Sequence, residues 1–173
     1  YPIFGDGAAA VILEQGEKAS GFMGIQTLAD GRKYDSVLIP AGGSRKPASL
    51  ETVAAGEHFI KMNNGEKIFF EVVEGMTTHT KSFIEKCGVS INEIDFVIPH
   101  QANINILKEV NKRLELPDGK MLINIQEVGN TSSASIPIVL TQNIEKGIIK
   151  PGNMVLMIAA GAGATMGLAL VKI

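Results

Sequence analysis

Residues 97–103, with the sequence VIPHQAN, carry the first side chain suited to chemistry. An apolar stretch ends there, His100 stands at its C-terminal tip, and a helical pattern follows. Open α/β sheets bind ligands at this edge. A histidine so placed can donate to a developing negative charge or transfer a proton. A histidine that only bonds to a neighbouring loop would occupy the same position, so the segment alone leaves both interpretations open.

Residues 128–135 form a second such segment, in which Gly129 precedes Asn130 and small polar residues follow. An asparagine amide is a neutral donor, which suits the stabilisation of an oxyanion better than acid–base catalysis. Small neighbours leave room for a ligand to approach. An asparagine in an ordinary turn is the alternative for this segment.

Two helices are expected to position these segments. Between residues 66 and 87, apolar side chains recur at steps of three and four, which predicts one buried face on a long helix. They are Phe69, Val72, Val73, Met76, Phe83, Ile84 and Cys87. Gly88 is typical of a helix C-cap, and Ser90 with Glu93 has capping-box spacing. A second helix is predicted from Asn103, and its inward residues are Ile104, Leu107, Val110 and Leu114.

Strands are predicted where short apolar runs occur, at residues 8–14, 21–28, 36–39, 96–98, 121–125, 154–159 and 168–173. The first two are expected to form a hairpin through residues 15–20. A third helix should run to about Glu145, capped by the hydroxyls of Ser132 and Ser133, with Pro137 in its first turn. This alternation favours a mixed α/β sheet covered by helices.

The overall composition excludes several classes of function. The chain has 173 residues, 45% hydrophobic and 20% charged, as expected for one folded domain. Its 16 basic and 18 acidic residues give a net charge of −2, which offers no general attraction for nucleic acid or an anionic membrane. A single cysteine, Cys87, excludes an internal disulfide and a CxxC metal site. We expect no membrane span, no secretory leader and a cytoplasmic location.

Other candidate ligand sites are weak. His58 and His79 have no partners at metal-ligand spacing, so no metal is expected. The glycine-rich residues 161–167 look superficially like a dinucleotide loop, but they lie between two strands and not before a helix, so we expect no nucleotide cofactor.

Several motifs in the same order resemble one known family. The segments PHQAN and GNTSSAS, the opening GDGAAA at residues 5–10, the KPG at residues 150–152 and the closing glycine-rich hairpin are similar to the C-terminal half of ketoacyl-acyl-carrier-protein synthase III. The resemblance implies an α/β, thiolase-like half with a mixed five-stranded sheet covered by helices. It also implies that residues 1–173 are a C-terminal half-domain whose N-terminal half is absent, in keeping with a start at Tyr1.

The activity implied by the resemblance is an acyltransferase reaction of fatty acid biosynthesis. In that family a cysteine takes an acyl group from acyl-CoA, and malonyl-acyl carrier protein loses carbon dioxide to form the enolate that attacks it. His100 and Asn130 match the family's catalytic histidine and asparagine. Cys87 ends a helix on its apolar face, where the helix dipole disfavours a thiolate, so we assign the nucleophile to the absent half. The expected partners are that N-terminal half and a second copy in a homodimer.

Binding residues carry over one by one. Asn103 matches a residue that contacts the pantetheine arm, although it can equally be a helix N-cap. Asn64 and Gly65 fall where the family approaches the CoA arm. Ala162 stands where the family often has a glycine that donates a backbone N–H to the oxyanion hole. The family has larger aromatic residues where Ala160 and Met166 stand, which leaves the acyl preference open.

A basic helix face is a candidate for docking the acidic carrier protein. Lys108, Lys112 and Arg113 lie on the second helix, but the family often has an arginine where this chain has Asn105. A solvated helix face is the alternative. For the whole chain, two other classes stay open: a non-catalytic acyl or CoA binding module, and a related condensing enzyme that is hydroxymethylglutaryl-CoA synthase-like or forms esters or amides.

Overall fold

One mixed sheet organises the chain in the computed structural model, which describes residues 4–16 and 20–173. Its strand order is β1–β6–β5–β4; β4 runs parallel to β5 and the other neighbours are antiparallel. These four strands are β1 (Gly21–Ala29), β4 (Phe96–Pro99), β5 (Met154–Gly161) and β6 (Thr165–Lys172). A separate two-stranded sheet pairs β2 (Val37–Leu38) with β3 (Lys61–Met62). The helices are α1 (Leu50–Ala54), α2 (Gly65–Lys86), α3 (Ile104–Arg113), α4 (Ile125–Val128) and α5 (Ser135–Glu145).

Helices α2 and α3 cover one face of the sheet, as their apolar spacing predicts. Val73, Met76, Phe83 and Ile84 of α2 are buried, and they form a core with Ile106, Val110 and Leu114 and with Leu156, Ile158, Leu168 and Leu170 of the sheet. Helix α2 ends at the C-cap Cys87, and Gly88 follows with φ 69°. The capping box of Ser90 and Glu93 is present. The apolar spacing predicted the buried face of α2 correctly. In α3 the prediction holds for Leu107, Val110 and Leu114, whereas Ile104 is half-buried and Ile106, which was not predicted, is buried.

Helix α5 covers only part of the opposite face. A smaller core of Ile98, Val139, Ile149 and Val155 lies between α5 and strands β4 and β5. Beyond it the apolar surface of β1 and β6 is open, and Ile25 of β1 is 64% exposed. The second face is therefore a partly covered apolar surface. None of the helices in the described residues is both long and apolar enough to cross a membrane.

Among the described residues the main sheet has four strands and not the predicted five, and residues 121–125 form no strand. Met121 makes one parallel bridge to Val97, and the chain then turns into α4. The reason lies at Asn124, whose backbone N–H donates to the side chain of the buried Gln101 at 3.2 Å. That bond draws the chain away from the sheet edge after a single bridge.

Two other predicted features differ from the structure. Residues 8–14 form no strand within the described residues, and Val11, Ile12 and Leu13 there are exposed. The turn predicted at residues 15–20 includes residues 17–19, which lie outside the described part of the chain, as does Tyr1. Ser132 and Ser133 do not cap α5, because a short 3₁₀ turn at Ser132–Ala134 precedes it without a side-chain cap. Pro137 does lie in the first turn of α5.

Candidate active site

His100 follows β4 at the C-terminal edge of the sheet, where the apolar strand of the sequence ends. Its backbone N–H donates to the carbonyl of Ile158 at 2.7 Å, which extends the pairing with β5 by one residue. The half-buried ring places Nδ1 2.8 Å from the hydroxyl of Ser135. Burial lowers the pKa of His100 below its ordinary 6.5, and a hydrogen bond with the backbone of Ser132 partly opposes this. The imidazole is therefore neutral at pH 7.

Gln101 holds the histidine loop against α5. Its side chain is fully buried, donates to the carbonyl of Pro99 at 2.6 Å and accepts from the backbone of Asn124 at 3.2 Å. Asn124 in turn donates to Gln142 of α5 at 2.9 Å. Sequence reasoning missed Gln101, although a polar residue directly after an apolar strand was a signal for a buried polar contact.

Asn130 lies just after α4, where Gly129 with φ 70° takes a conformation that favours glycine. The side-chain oxygen of Asn130 accepts the backbone N–H of Ser132 at 2.9 Å. The amide nitrogen points the other way and donates to the carbonyl of Ala102 at 3.4 Å. One hydrogen of the amide nitrogen therefore stays available to a ligand, as does one lone pair of the oxygen.

The structure brings the His100 and Asn130 loops together. Asn130 contacts Ala102, and the backbone N–H of Ala102 donates to the carbonyl of His100 at 2.9 Å. The N-terminal segment joins the same place, since Gly5 donates to the carbonyl of Asn130 at 2.9 Å. A side chain at Gly5 would collide with the carbonyl of Val128, which explains the glycine. The imidazole of His100 and the amide of Asn130 can each supply an N–H, and two such donors on adjoining loops are what an oxyanion site requires.

Asn103 and Asn64 both begin helices. Asn103 is the exposed N-cap of α3 and accepts the backbone N–H of Asn105 at 2.8 Å. Asn64 has φ 57° and accepts the backbone N–H of Lys67 at 3.0 Å, with Gly65 as the first residue of α2. The N-cap interpretation of Asn103 is confirmed. Contacts of these three residues with a substrate stay a prediction.

Ala162 lies in the tight turn between β5 and β6. Its carbonyl accepts from the hydroxyl of Thr165 at 3.2 Å, and the carbonyl of Ala164 accepts from the backbone of Asp30 at 2.8 Å. These bonds hold the turn from both sides. Hydrogen bonding to Arg32 lowers the pKa of Asp30 to about 2, so this carboxylate stays ionised. The role of the Ala162 backbone N–H stays a prediction.

The basic residues of α3 differ in whether they form ion pairs with acidic side chains. Lys108 and Lys112 are exposed and take part in none of the ion pairs among the described residues. Arg113 bonds to Glu109 at 2.8 Å and to Glu74 at 2.9 Å. A docking role would therefore rest on the two lysines, with Arg113 largely neutralised by its partners.

Cys87 and the other two histidines, His58 and His79, lie outside the two loops that carry His100 and Asn130. Cys87 is half-buried at the C-terminal end of α2, with its sulfur against Gly24 of β1. His58 contacts Phe59, with ring centroids 4.1 Å apart and the ring planes tilted by 40°. His79 lines a shallow cleft beside Phe70 and Arg113. Among the described residues, no group of three histidine, cysteine or acidic side chains could hold a metal.

Comparison with known proteins points to one family. Residues 84–173 match the family model described as 3-oxoacyl-(acyl-carrier-protein) synthase III C terminal. The chain is 42% identical over 170 residues to beta-ketoacyl-(acyl-carrier-protein) synthase III of Caldanaerobacter subterraneus subsp. tengcongensis, covering 98% of this chain and 51% of the relative. The enzyme of the same name from Natranaerobius thermophilus is also 42% identical, with 98% and 52% covered. The chain thus spans about half the length of the curated relatives it matches.

Solved structures agree on the fold. A crystal structure of 3-oxoacyl-(acyl-carrier-protein) synthase III from Aquifex aeolicus is similar with a TM-score of 0.77 and 33% identity, covering 92% of this chain and 46% of that one. The corresponding enzyme from Thermus thermophilus gives a TM-score of 0.79 at 30% identity, with 92% and 48% covered. The thiolase-like α/β fold expected from the sequence is confirmed.

Proposed function

Since the chain belongs to the 3-oxoacyl-(acyl-carrier-protein) synthase III family, we propose that it supplies the histidine–asparagine part of a decarboxylating condensation site. The observation that carries this proposal is the meeting of the His100 and Asn130 loops through Ala102, which joins a half-buried imidazole to a side-chain amide. The substrates proposed are acyl-CoA and malonyl-acyl carrier protein.

The chemistry asked of these residues is electrostatic. Loss of carbon dioxide from a malonyl thioester leaves an electron pair that becomes an enolate, with negative charge on the thioester oxygen. No base is needed, because the breaking C–C bond supplies the carbanion. Two N–H donors facing that oxygen lower the barrier, and loss of one such donor typically slows an enzyme about 10²–10³-fold. Burial lowers the pKa of His100 and so weakens the ring as a base, while a neutral imidazole still carries one N–H that can donate.

We propose further that a second part of the same protein carries the nucleophilic cysteine. Cys87 is a poor candidate, because it is half-buried at the C-terminal end of α2 with its sulfur against Gly24, whereas reactive cysteines lie at helix N-termini or beside a cation. The uncovered sheet face supports a missing neighbour: Ile25, Met157, Ala159 and Ala169 line an open apolar groove of about 240 Å³. Apolar surface of this kind marks an interaction site. Relatives about twice as long as this chain supply a segment of sufficient length to cover it.

The uncovered face can be tested by size-exclusion chromatography with light scattering. We expect the 173-residue chain alone to self-associate, and we expect co-expression with the remaining half of the protein to give a defined complex. A monodisperse monomer that binds no apolar dye would contradict the proposed missing neighbour. The same measurement on the complete protein gives its mass in solution and so tests whether two copies form a homodimer.

The activity is tested with the full-length protein that carries this chain. Release of carbon dioxide from malonyl-acyl carrier protein and formation of the ketoacyl product are measured separately. We expect His100→Ala and Asn130→Ala each to reduce both rates, and the exposed Ser133→Ala to leave them unchanged. Binding of acyl-CoA without turnover would favour a non-catalytic module. Condensation without release of carbon dioxide would favour a hydroxymethylglutaryl-CoA synthase-like reaction.

A further inference from the structure

Ser135 is a buried polar residue that the proposed reaction does not itself require. It is the first residue of α5, and its side chain is only 1% exposed. Its hydroxyl lies 2.8 Å from Nδ1 of His100 and accepts the backbone N–H of Gln101 at 3.2 Å. One hydroxyl thus contacts two successive residues of the histidine loop.

The hydrogen bonds of the Ser135 hydroxyl indicate which ring nitrogen of His100 carries the proton. A serine hydroxyl has one hydrogen and two lone pairs. The N–H of Gln101 already donates to the oxygen, and no other acceptor for the Ser135 hydrogen is found among the described residues. The hydroxyl hydrogen is therefore available to Nδ1. When Nδ1 accepts it, the single proton of a neutral imidazole must sit on Nε2.

The geometry around Gln101 keeps this arrangement in place. The glutamine side chain is fully buried and bonded to Pro99 and Asn124, so the direction of its backbone N–H is constrained. That N–H occupies the Ser135 oxygen from one side. The remaining orientation of the hydroxyl is towards the ring of His100.

We propose that Ser135 is a positioning residue that sets the tautomer of His100, so that Nε2–H is the atom presented to the developing oxyanion. The inference rests on the proposed function for its meaning in catalysis. The tautomer itself is a property of the protein without substrate, so the two can be tested apart.

The test is the ¹⁵N spectrum of the histidine ring in the full-length protein labelled with ¹⁵N-histidine. The His100 signals are assigned by their loss in His100→Gln. We expect the wild-type ring at pH 7.5 to carry its proton on Nε2 alone. Ser135→Ala should give a mixture of tautomers, while Ser135→Thr, which keeps the hydroxyl, and the nearby exposed Ser133→Ala should retain the wild-type pattern.

Kinetics supply the second measurement. Ser135→Ala should lower kcat about tenfold with KM little changed, less than the about 10²–10³-fold loss expected when a donor is removed outright. A wild-type ring protonated on Nδ1, or a Ser135→Ala ring still wholly protonated on Nε2, would overturn the assignment. The wild-type measurement needs no variant to fold. A protein with the expected tautomers but no condensation activity would support the role of Ser135 and refute the proposed function.

Discussion

The side-chain oxygen of Asn130 accepts the backbone N–H of Ser132 at 2.9 Å, and this contact fixes the orientation of the amide. Ser132 makes the contact from a left-handed backbone conformation with φ 53°. Such conformations cost free energy in a non-glycine residue and are found where surrounding structure holds them. The left-handed conformation of Ser132 therefore costs some folding free energy and allows the contact that orients the Asn130 amide.

The orientation of Asn130 leads to a first prediction, for Asn130→Asp. The aspartate keeps an oxygen for the N–H of Ser132 but has no hydrogen to donate. We expect condensation to fall by about 10²–10³-fold, with the fold retained. Rates and circular dichroism of the full-length variant are the measurements, with Asn130→Ala as the comparison that also removes the Ser132 contact. Equal activity of Asn130→Asp and wild type would show that the amide donates nothing to the reaction.

A second prediction concerns stability and pH. Burial lowers the pKa of His100 below 6.5, so the unfolded chain binds this proton more readily than the folded one. The contribution of His100 is fully present above pH 6.5 and is lost as the pH falls through the lower, folded-state pKa. The free energy of urea unfolding, measured from pH 5 to pH 8, should decrease on the acidic side. His100→Gln should show a shallower decrease, and identical pH profiles would contradict the burial argument.

Cys87 gives a third prediction through its contact with Gly24. A Cβ atom at Gly24 would come within 2.6 Å of the Cys87 sulfur and 3.2 Å of Phe83. Gly24→Ala should therefore lower the free energy of unfolding by about 1–3 kcal/mol. Adding Cys87→Ala should recover part of this loss, because it removes the sulfur. Additive effects in the double-mutant cycle would contradict the contact.

The control for this cycle is Gly43→Ala, since a methyl group there meets nothing within 4 Å. We expect it to change stability by no more than about 0.5 kcal/mol. The same samples test the chemistry of Cys87: incubation of the chain with acyl-CoA should leave its mass unchanged. A stable acyl adduct on Cys87 would refute its structural assignment.

A fourth prediction addresses carrier-protein docking by α3. Lys108→Glu with Lys112→Glu should raise KM for malonyl-acyl carrier protein severalfold, while the KM for acyl-CoA should change little. The effect should shrink as salt is added, because exposed charges are screened over about 8–10 Å. Arg113→Met should have a smaller effect, since its charge is already paired with Glu74 and Glu109.

Lys146→Glu is the matched control for the charge reversal. Lys146 follows α5 at the end opposite to Ser135, about 16 Å from the site along the helix axis. A comparable rise in KM for Lys146→Glu would attribute the effect to net charge and not to docking on α3.

Much of the fold follows from local patterns in the sequence. The stripe of α2, the inward residues of α3 and the strand before His100 are dictated by apolar spacing, because burying an apolar face requires it wherever the partner lies. Gly88, which follows the C-cap of α2, and the capping box at Ser90 are local features, so they too can be predicted from neighbours in the chain. The prediction of a strand at residues 121–125 was wrong for the opposite reason. Gln101, which is distant in sequence, bonds to Asn124 where the chain leaves the edge of the sheet.

The sequence by itself determined that His100 and Asn130 are the residues to examine, since their types and their small or apolar neighbours suit an oxyanion site. It did not determine which ring nitrogen of His100 carries the proton or how the Asn130 amide is oriented. The tertiary structure decided both, through Ser135 on α5 and the backbone of Ser132. The physical reason is that the free N–H of each side chain depends on the bonds that its other polar atoms make. The partners in those bonds come together only when the two loops pack against α5.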